Sequence, residues 1–191
     1  MKKGLLIVFS GPSGVGKGTK LKEVMKDESL KLTYSVSMTT RKPRDGEVNG
    51  INYFFVSKEG FEKAIDNHEL LEYATYVDNY YGTPKNFVEK KREEGMNVVL
   101  EIDLQGAKQV MARAHDALSI FIEPPSMEEL ERRIRGRQSE TEETIKKRIE
   151  VARNEMASRE LYDYVVCNDE LTKAIEDVKE IIRKEMEKSD C

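Results

Sequence analysis

The sequence predicts an α/β protein built on a parallel sheet, and three features carry that expectation. Four short apolar runs, Leu5 to Phe9, Met96 to Ile102, Leu118 to Ile122 and Tyr164 to Cys167, punctuate the 191 residues. They are short and mainly apolar, as strands buried on both faces are, where a half-exposed strand would alternate. Stretches of helical character separate them, and strands joined through helices pair in parallel by crossover connections. A glycine-rich segment directly follows the first run.

Taken in order, Leu5 to Phe9 is a buried strand stopped by Gly11-Pro12, and a helix follows over about Lys17 to Lys26. From Ser37 to Phe87 the alternation fails. Turn signals at Arg44-Asp45-Gly46 and Asn49-Gly50, with strand-like pieces at Ile51 to Val56 and Leu71 to Tyr76, predict a small inserted sheet. Thr83-Pro84 supplies an N-cap and a first-turn proline for the next helix, which Gly95 stops. After Pro124-Pro125, Ser126 and Glu129 have the spacing of a capping box. The stretch to about Arg159 is helical and charged, with four arginines between Glu131 and Arg137. From Leu171 onward Ala174, Ile175, Val178, Ile181 and Ile182 form one apolar stripe of a helix packed on the sheet. A chain of this length supports one core and hardly two, so the irregular stretches are insertions. The expected division is a core of residues 1–36, 88–125 and 160–191, an insertion at 37–87 and a second at 126–159.

Composition narrows the partners. Net charge is -4, so no global field attracts a polyanion, and an anionic ligand must be held by local arginine clusters. This points to a small molecule and away from nucleic acid. Cys167 and Cys191 with His68 and His115 build neither a disulfide framework nor a zinc site. Cys167 is expected buried in its strand and the histidines at the surface. The first apolar run is shorter than a cleavable leader requires, and no stretch has membrane-spanning length, so a reducing cytoplasm is expected. Oligomeric state, monomer or homo-oligomer, is left open.

Gly11-Pro12-Ser13-Gly14-Val15-Gly16-Lys17 matches the G-x-x-x-x-G-K phosphate loop and lies between a strand and a helix, as its chemistry demands. Glycines let successive N–H groups curl around an anion, the helix N-terminus adds partial positive charge, and Lys17 reaches the outer phosphates of a nucleoside triphosphate. Gly18 stands where the strict pattern has Ser or Thr, and a hydroxyl appears only at Thr19. A magnesium ion accompanying ATP would therefore rest on phosphate oxygens and water, with Glu101 and Asp103 approaching only through water.

A longer pattern narrows the family. Ser35-Val36-Ser37-Met38-Thr39-Thr40-Arg41-Lys42-Pro43-Arg44, continuing through Gly46-Glu47-Val48-Asn49-Gly50 to Tyr53-Phe54, resembles the signature of guanylate kinases. Glu72, Asn79-Tyr80-Tyr81-Gly82-Thr83, Ile102-Asp103-Leu104-Gln105-Gly106, Pro124-Pro125-Ser126 and Asn168-Asp169 match in the same order. The resemblance spans most of the chain. It implies a P-loop kinase fold with a five-stranded parallel core, a small mixed-sheet region that binds GMP at 37–87 and a helical lid at 126–159.

The residues' own chemistry agrees with these roles. Arg41 and Arg44 flank Pro43, where two guanidinium forks can clamp a dianionic phosphate. Tyr53 and Tyr81 can donate hydroxyls to it, and by resemblance all four hold the phosphate of GMP. Guanine presents two donors on one edge and a carboxylate is its natural reader; the resemblance assigns Glu72, with Ser37 and Thr83 beside it. Adenine would leave that carboxylate's acceptors unpaired. Glu101 and Asp103 lie at a strand's carboxyl end, where parallel-sheet ligands gather, and the resemblance puts Asp103 in the GMP site. It also closes the lid residues Arg133, Arg137 and Arg148 on the ATP phosphates, and sets Asn168 against adenine. Asn168 could equally cap the last helix.

The chemistry so implied is direct in-line transfer of a phosphoryl group from ATP to GMP, and by extension dGMP, with no side-chain base, because a phosphate dianion is already ionised. A non-catalytic relative that binds phosphorylated protein segments is the alternative, and Lys17 with the lid arginines argues against it. A kinase of the same fold for another small phosphate is a second alternative.

Overall fold

The computed structural model describes residues 2–136 and 141–189. In chain order its strands are β1 (Leu6–Ser10), β2 (Leu32–Tyr34), β3 (Met38–Thr39), β4 (Phe54–Phe55), β5 (Leu70–Tyr76), β6 (Asn79–Pro84), β7 (Asn97–Glu101), β8 (Leu118–Glu123) and β9 (Tyr164–Cys167). Its α-helices are α1 (Lys17–Val24), α2 (Lys58–Asp66), α3 (Lys85–Glu93), α4 (Leu104–Arg113), α5 (Met127–Arg135), α6 (Glu142–Ala157) and α7 (Leu171–Lys188). Five strands form a parallel sheet in the order β2-β7-β1-β8-β9, and four form a mixed sheet in the order β4-β3-β6-β5. The α/β class and the five-stranded parallel core stand as expected.

The central strands are apolar along their length because both faces are covered. Ile7 and Phe9 pack with Leu21, Val24, Val178 and Ile182 toward α1 and α7, whereas Leu6 and Val8 pack with Val88, Ala107 and Val110 toward α3 and α4. Two smaller clusters lie outside this core. Phe61, Ala64 and Leu70 collect Met38, Tyr73 and Tyr80 beneath the mixed sheet. Leu130, Ile134, Ile145, Ile149 and Ala152 join α5 to α6. No helix among the described residues is long and apolar enough to cross a membrane.

Several local readings need correction. Thr83 belongs to β6, Pro84 takes the N-cap position, and no side-chain bond caps α3. Ser126 does accept from the Glu129 N–H at 3.1 Å, but the Glu129 carboxylate turns to Arg132 and Arg133, so the reciprocal half of the box is missing. The strand expected over Ile51 to Val56 shrinks to Phe54–Phe55, because Val48 to Asn52 close a turn. Cys167 is exposed, since β9 is the sheet's edge strand and this is its last residue. The α2 helix, whose Phe61, Ala64 and Ile65 do fall at helical spacing, and the three-residue β2 were not anticipated.

Parallel register puts the ends of β1 and β7 side by side, with Phe9 opposite Glu101. β1 continues into Gly11, whose φ is +150°. A Cβ there would lie 2.3 Å from the Ile122 carbonyl oxygen of β8. The chain can turn into the loop only because this residue has no side chain. Gly11→Ala should therefore lower unfolding free energy by at least about 2 kcal/mol. Chemical denaturation of the purified variant checks this.

Candidate active site

The loop from Gly11 to Gly16 leaves β1 and enters α1 at Gly16, whose left-handed φ of 84° serves as N-cap. Lys17 is the first helical residue. Its ammonium donates to the carbonyl of Gly11 and, at 3.3 Å, to that of Pro12. Burial lowers its pKa, opposed by the carboxylates of Glu155, Glu101 and Asp103. From α6, Glu155 accepts the Ser13 N–H at 3.3 Å, and Arg148 donates to the Ser13 hydroxyl at 3.0 Å. Asn168, buried in the turn before α7, donates from its amide to the Val15 carbonyl at 2.8 Å. It does not cap α7, whose N-cap position is Glu170.

Arg41 is fixed by a side chain the functional reading had not singled out. Both its terminal nitrogens donate to the Glu47 carboxylate, at 3.0 and 2.8 Å. That carboxylate also accepts the Arg44 N–H at 2.7 Å. The charge-assisted bonds from Arg41 pull the Glu47 pKa down to about 2 and raise that of Arg41. The guanidinium lies 5.3 Å from the ring centre of Tyr53, and Tyr53 meets Tyr81 edge to face at 6.1 Å. Thr39, fully buried in β3, accepts the Arg41 N–H at 3.2 Å and donates to the Tyr80 carbonyl at 2.9 Å. Arg44 is exposed on the turn, and Ser37 immediately precedes β3.

Glu72 sits in β5 opposite Thr83 of β6, after a register irregularity. It is 8% exposed. The Thr83 hydroxyl donates to its Oε1 at 2.6 Å. A Cβ on Gly106 would stand 3.1 Å from Oε2, so the missing side chain lets the carboxylate lie against the first turn of α4. Asp103 is the N-cap of that helix and accepts the Gly106 N–H at 2.8 Å. Burial raises the Glu72 pKa, the Thr83 bond lowers it and the charge of Asp103 raises it again.

Asp103 thus acts electrostatically on both Lys17 and Glu72. Gly106 lies between the two carboxylates: a Cβ there would stand 3.1 Å from Glu72 Oε2 and 3.5 Å from Asp103 Oδ1. Glu101 is exposed at the end of β7, and a Cβ on Gly18 would lie 3.4 Å from Glu101 Oε1. Arg133 donates to Glu129 at 2.8 Å along α5, which ends at Arg135 with Gly136 as its C-cap. Arg137 lies outside the described residues. Sequence reasoning missed Glu47, Thr39 and Glu155 as supports of the site. Glu47 lies within the recognised signature, but Glu155 is 142 residues from its partner Ser13 and had no local signal.

Sheet, loop and facing pocket together define a P-loop α/β protein of the nucleotide-kinase type. The chain belongs to the guanylate kinase family, whose model matches residues 3–185. It is 53% identical over 183 residues to the guanylate kinase of Mesoplasma florum, which covers 96% of this chain and 62% of that protein. The chain thus spans less than two thirds of that relative's length. It is 51% identical to the guanylate kinase of Mycoplasmoides gallisepticum over 96% of this chain and 94% of that protein. The crystal structure of guanylate kinase from Anaplasma phagocytophilum superposes with a TM-score of 0.70 at 34% identity, covering 96% of this chain and 87% of that one.

The buried charge of Glu72 has a measurable sign. A carboxyl whose folded pKa is raised above 4.5 favours folding most when protonated, and that contribution is lost as pH rises through the folded value. Glu72→Gln keeps an acceptor for Thr83 and removes the charge. Its Tm should equal or exceed that of the parent at neutral pH, and the difference should close below the ordinary carboxyl value of 4.5. Thermal melts across pH check this; a variant less stable at pH 7 contradicts it.

Proposed function

We propose that this protein transfers the terminal phosphoryl group of ATP to GMP, and to dGMP through the same contacts, giving ADP and GDP or dGDP. The closeness of the two half-sites supports the reading: Gly18, next to Lys17, lies against Glu101 at the end of β7, and two residues on, Asp103 shares with Glu72 the space beside Gly106. The guanylate kinase relatives support it. A phosphoprotein-binding role is not favoured, since it has no use for Lys17 in an intact phosphate loop.

In this reading Gly11, Pro12, Ser13, Gly14, Val15, Gly16, Lys17, Gly18 and Thr19 hold the ATP phosphates through main-chain N–H groups and the Lys17 ammonium. Asn168 sits at the adenine side. Arg41, Arg44, Tyr53 and Tyr81 grip the phosphate of GMP, and Ser37, Glu72, Thr83 and Asp103 read its base. Ionised Glu72 accepts from N1–H and the exocyclic amino group of guanine. Arg41 must give up at least part of its hold on Glu47 when phosphate arrives.

The GMP phosphate oxygen attacks in line, and no side chain removes a proton. Lys17 with Arg41, Arg133, Arg137 and Arg148 stabilises the charge that spreads over the transferred group. Magnesium bound with ATP would neutralise part of that charge. The residues fit a hydrated ion: Gly18 offers no hydroxyl, and the Glu101 carboxylate lies against Gly18. Glu101 and Asp103 would hold its water. Residues 37–87 and 126–159 close over the core of 1–36, 88–125 and 160–191, excluding water from the transfer. Such an enzyme works on small nucleotides in the cytoplasm, without nucleic acid or membrane, as a monomer or a homo-oligomer.

A coupled assay of ATP with GMP, dGMP, AMP, UMP and TMP tests the reading. Turnover confined to the guanine nucleotides is expected; preference for another acceptor, or none at all, would overturn it. Lys17→Ala should reduce kcat by at least about two orders of magnitude while GMP still binds. Glu72→Gln should reduce kcat/KM for GMP by about two orders of magnitude, and an unchanged ratio of GMP to AMP use would remove Glu72 from base recognition.

A further inference from the structure

Lys20 lies in the first turns of α1, and only 3% of it is exposed. Its ammonium donates to the main-chain carbonyls of Val15 and Gly16, both at 3.3 Å. The Val15 carbonyl also accepts from Asn168 at 2.8 Å. Two side chains, one on α1 and one in the turn before α7, therefore hold carbonyls of the phosphate loop.

A trans peptide points its C=O and its N–H in opposite directions. Holding the carbonyls of Val15 and Gly16 outward turns the next two N–H groups, those of Gly16 and Lys17, to the inner side where an anion is cradled. A cation on the carbonyl end also polarises each peptide, which strengthens its N–H as a donor. An aliphatic side chain would fill the same buried space without the penalty of burying a charge. That penalty is evident here: burial, with the nearby charge of Arg133, brings the Lys20 pKa down to about 8.

We infer that Lys20 is a positioning residue for the donor nucleotide, presetting the loop amides toward its phosphates by gripping the loop's carbonyls from behind. This rests on the loop being the ATP site, as proposed above. Lys20 touches no substrate itself, so its effect should fall on nucleoside di- and triphosphates and not on GMP.

Calorimetric titration with ADP and with GMP tests this on the parent protein, Lys20→Met and Lys20→Gln, with a thermal melt of each. Lys20→Met should weaken ADP binding about tenfold, equivalent to about 1.4 kcal/mol, with GMP affinity unchanged and Tm not lowered. Lys20→Gln, which keeps a donor for the carbonyls, should recover part of the loss. Parental ADP affinity in Lys20→Met overturns the inference. So does an equal loss for ADP and GMP with a lowered Tm, the mark of a residue that only stabilises the fold. Phosphoryl transfer by the parent protein is assayed separately: if it fails while ADP binding still depends on Lys20, the inference stands and the proposed reaction falls.

Discussion

The phosphate loop and the ends of the strands and helices beside it are organised around the Lys17 ammonium, a cation largely withdrawn from water. Burial alone would drive such a group toward its neutral form. Carboxylates from three elements oppose this: Glu101 at the end of β7, Asp103 at the N-cap of α4 and Glu155 on α6. Because these carboxylates come from three separate elements, the lysine ties them into one electrostatic unit. The parallel sheet makes this possible by bringing the ends of β1 and β7 into register. Glu155 extends the unit beyond the core, since the α6 helix that carries it also packs against α5.

The second pocket uses a different device. Its charged groups are preset by partners within the small sheet and its turn: Arg41 by Glu47 and Thr39, Glu72 by Thr83. In the proposed reaction, each of these bonds holds a side chain near its working geometry. Strong pairing of Arg41 with Glu47 keeps the guanidinium from wandering across the turn, at the expense of a bond that phosphate must contest. The Glu72 carboxylate lies against Gly106, and a larger residue there would push it away. In the proposed reaction Asp103 stands between the two half-sites, close to Glu72 across Gly106 and two residues beyond Glu101.

Much of the core was legible because doubly covered strands leave apolar runs with little alternation: Leu5 to Phe9 is apolar throughout, and Leu118 to Ile122 is but for Ser119. Short, half-exposed β2 left none. The phosphate loop was legible from its own chemistry, whereas Glu72 was not: on an alternating strand a lone glutamate reads as a surface residue, and only the surrounding motif marked it. Glu155 and Asn168 act on the loop through contacts that tertiary folding creates, and periodicity is silent about these; Lys20 reaches it from only four and five residues away. Cys167 was misjudged because nothing in a four-residue apolar run says whether its strand lies at the edge of the sheet.

A crystal structure with a bisubstrate analogue joining adenosine to guanosine through a phosphate chain tests the shared cleft most directly. The account predicts the phosphates wrapped by the loop from Gly11 to Lys17, and the guanine edge against the Glu72 carboxylate with Asp103 between the two halves. Guanine bound away from Glu72, or a phosphate chain that bypasses Lys17, would contradict it.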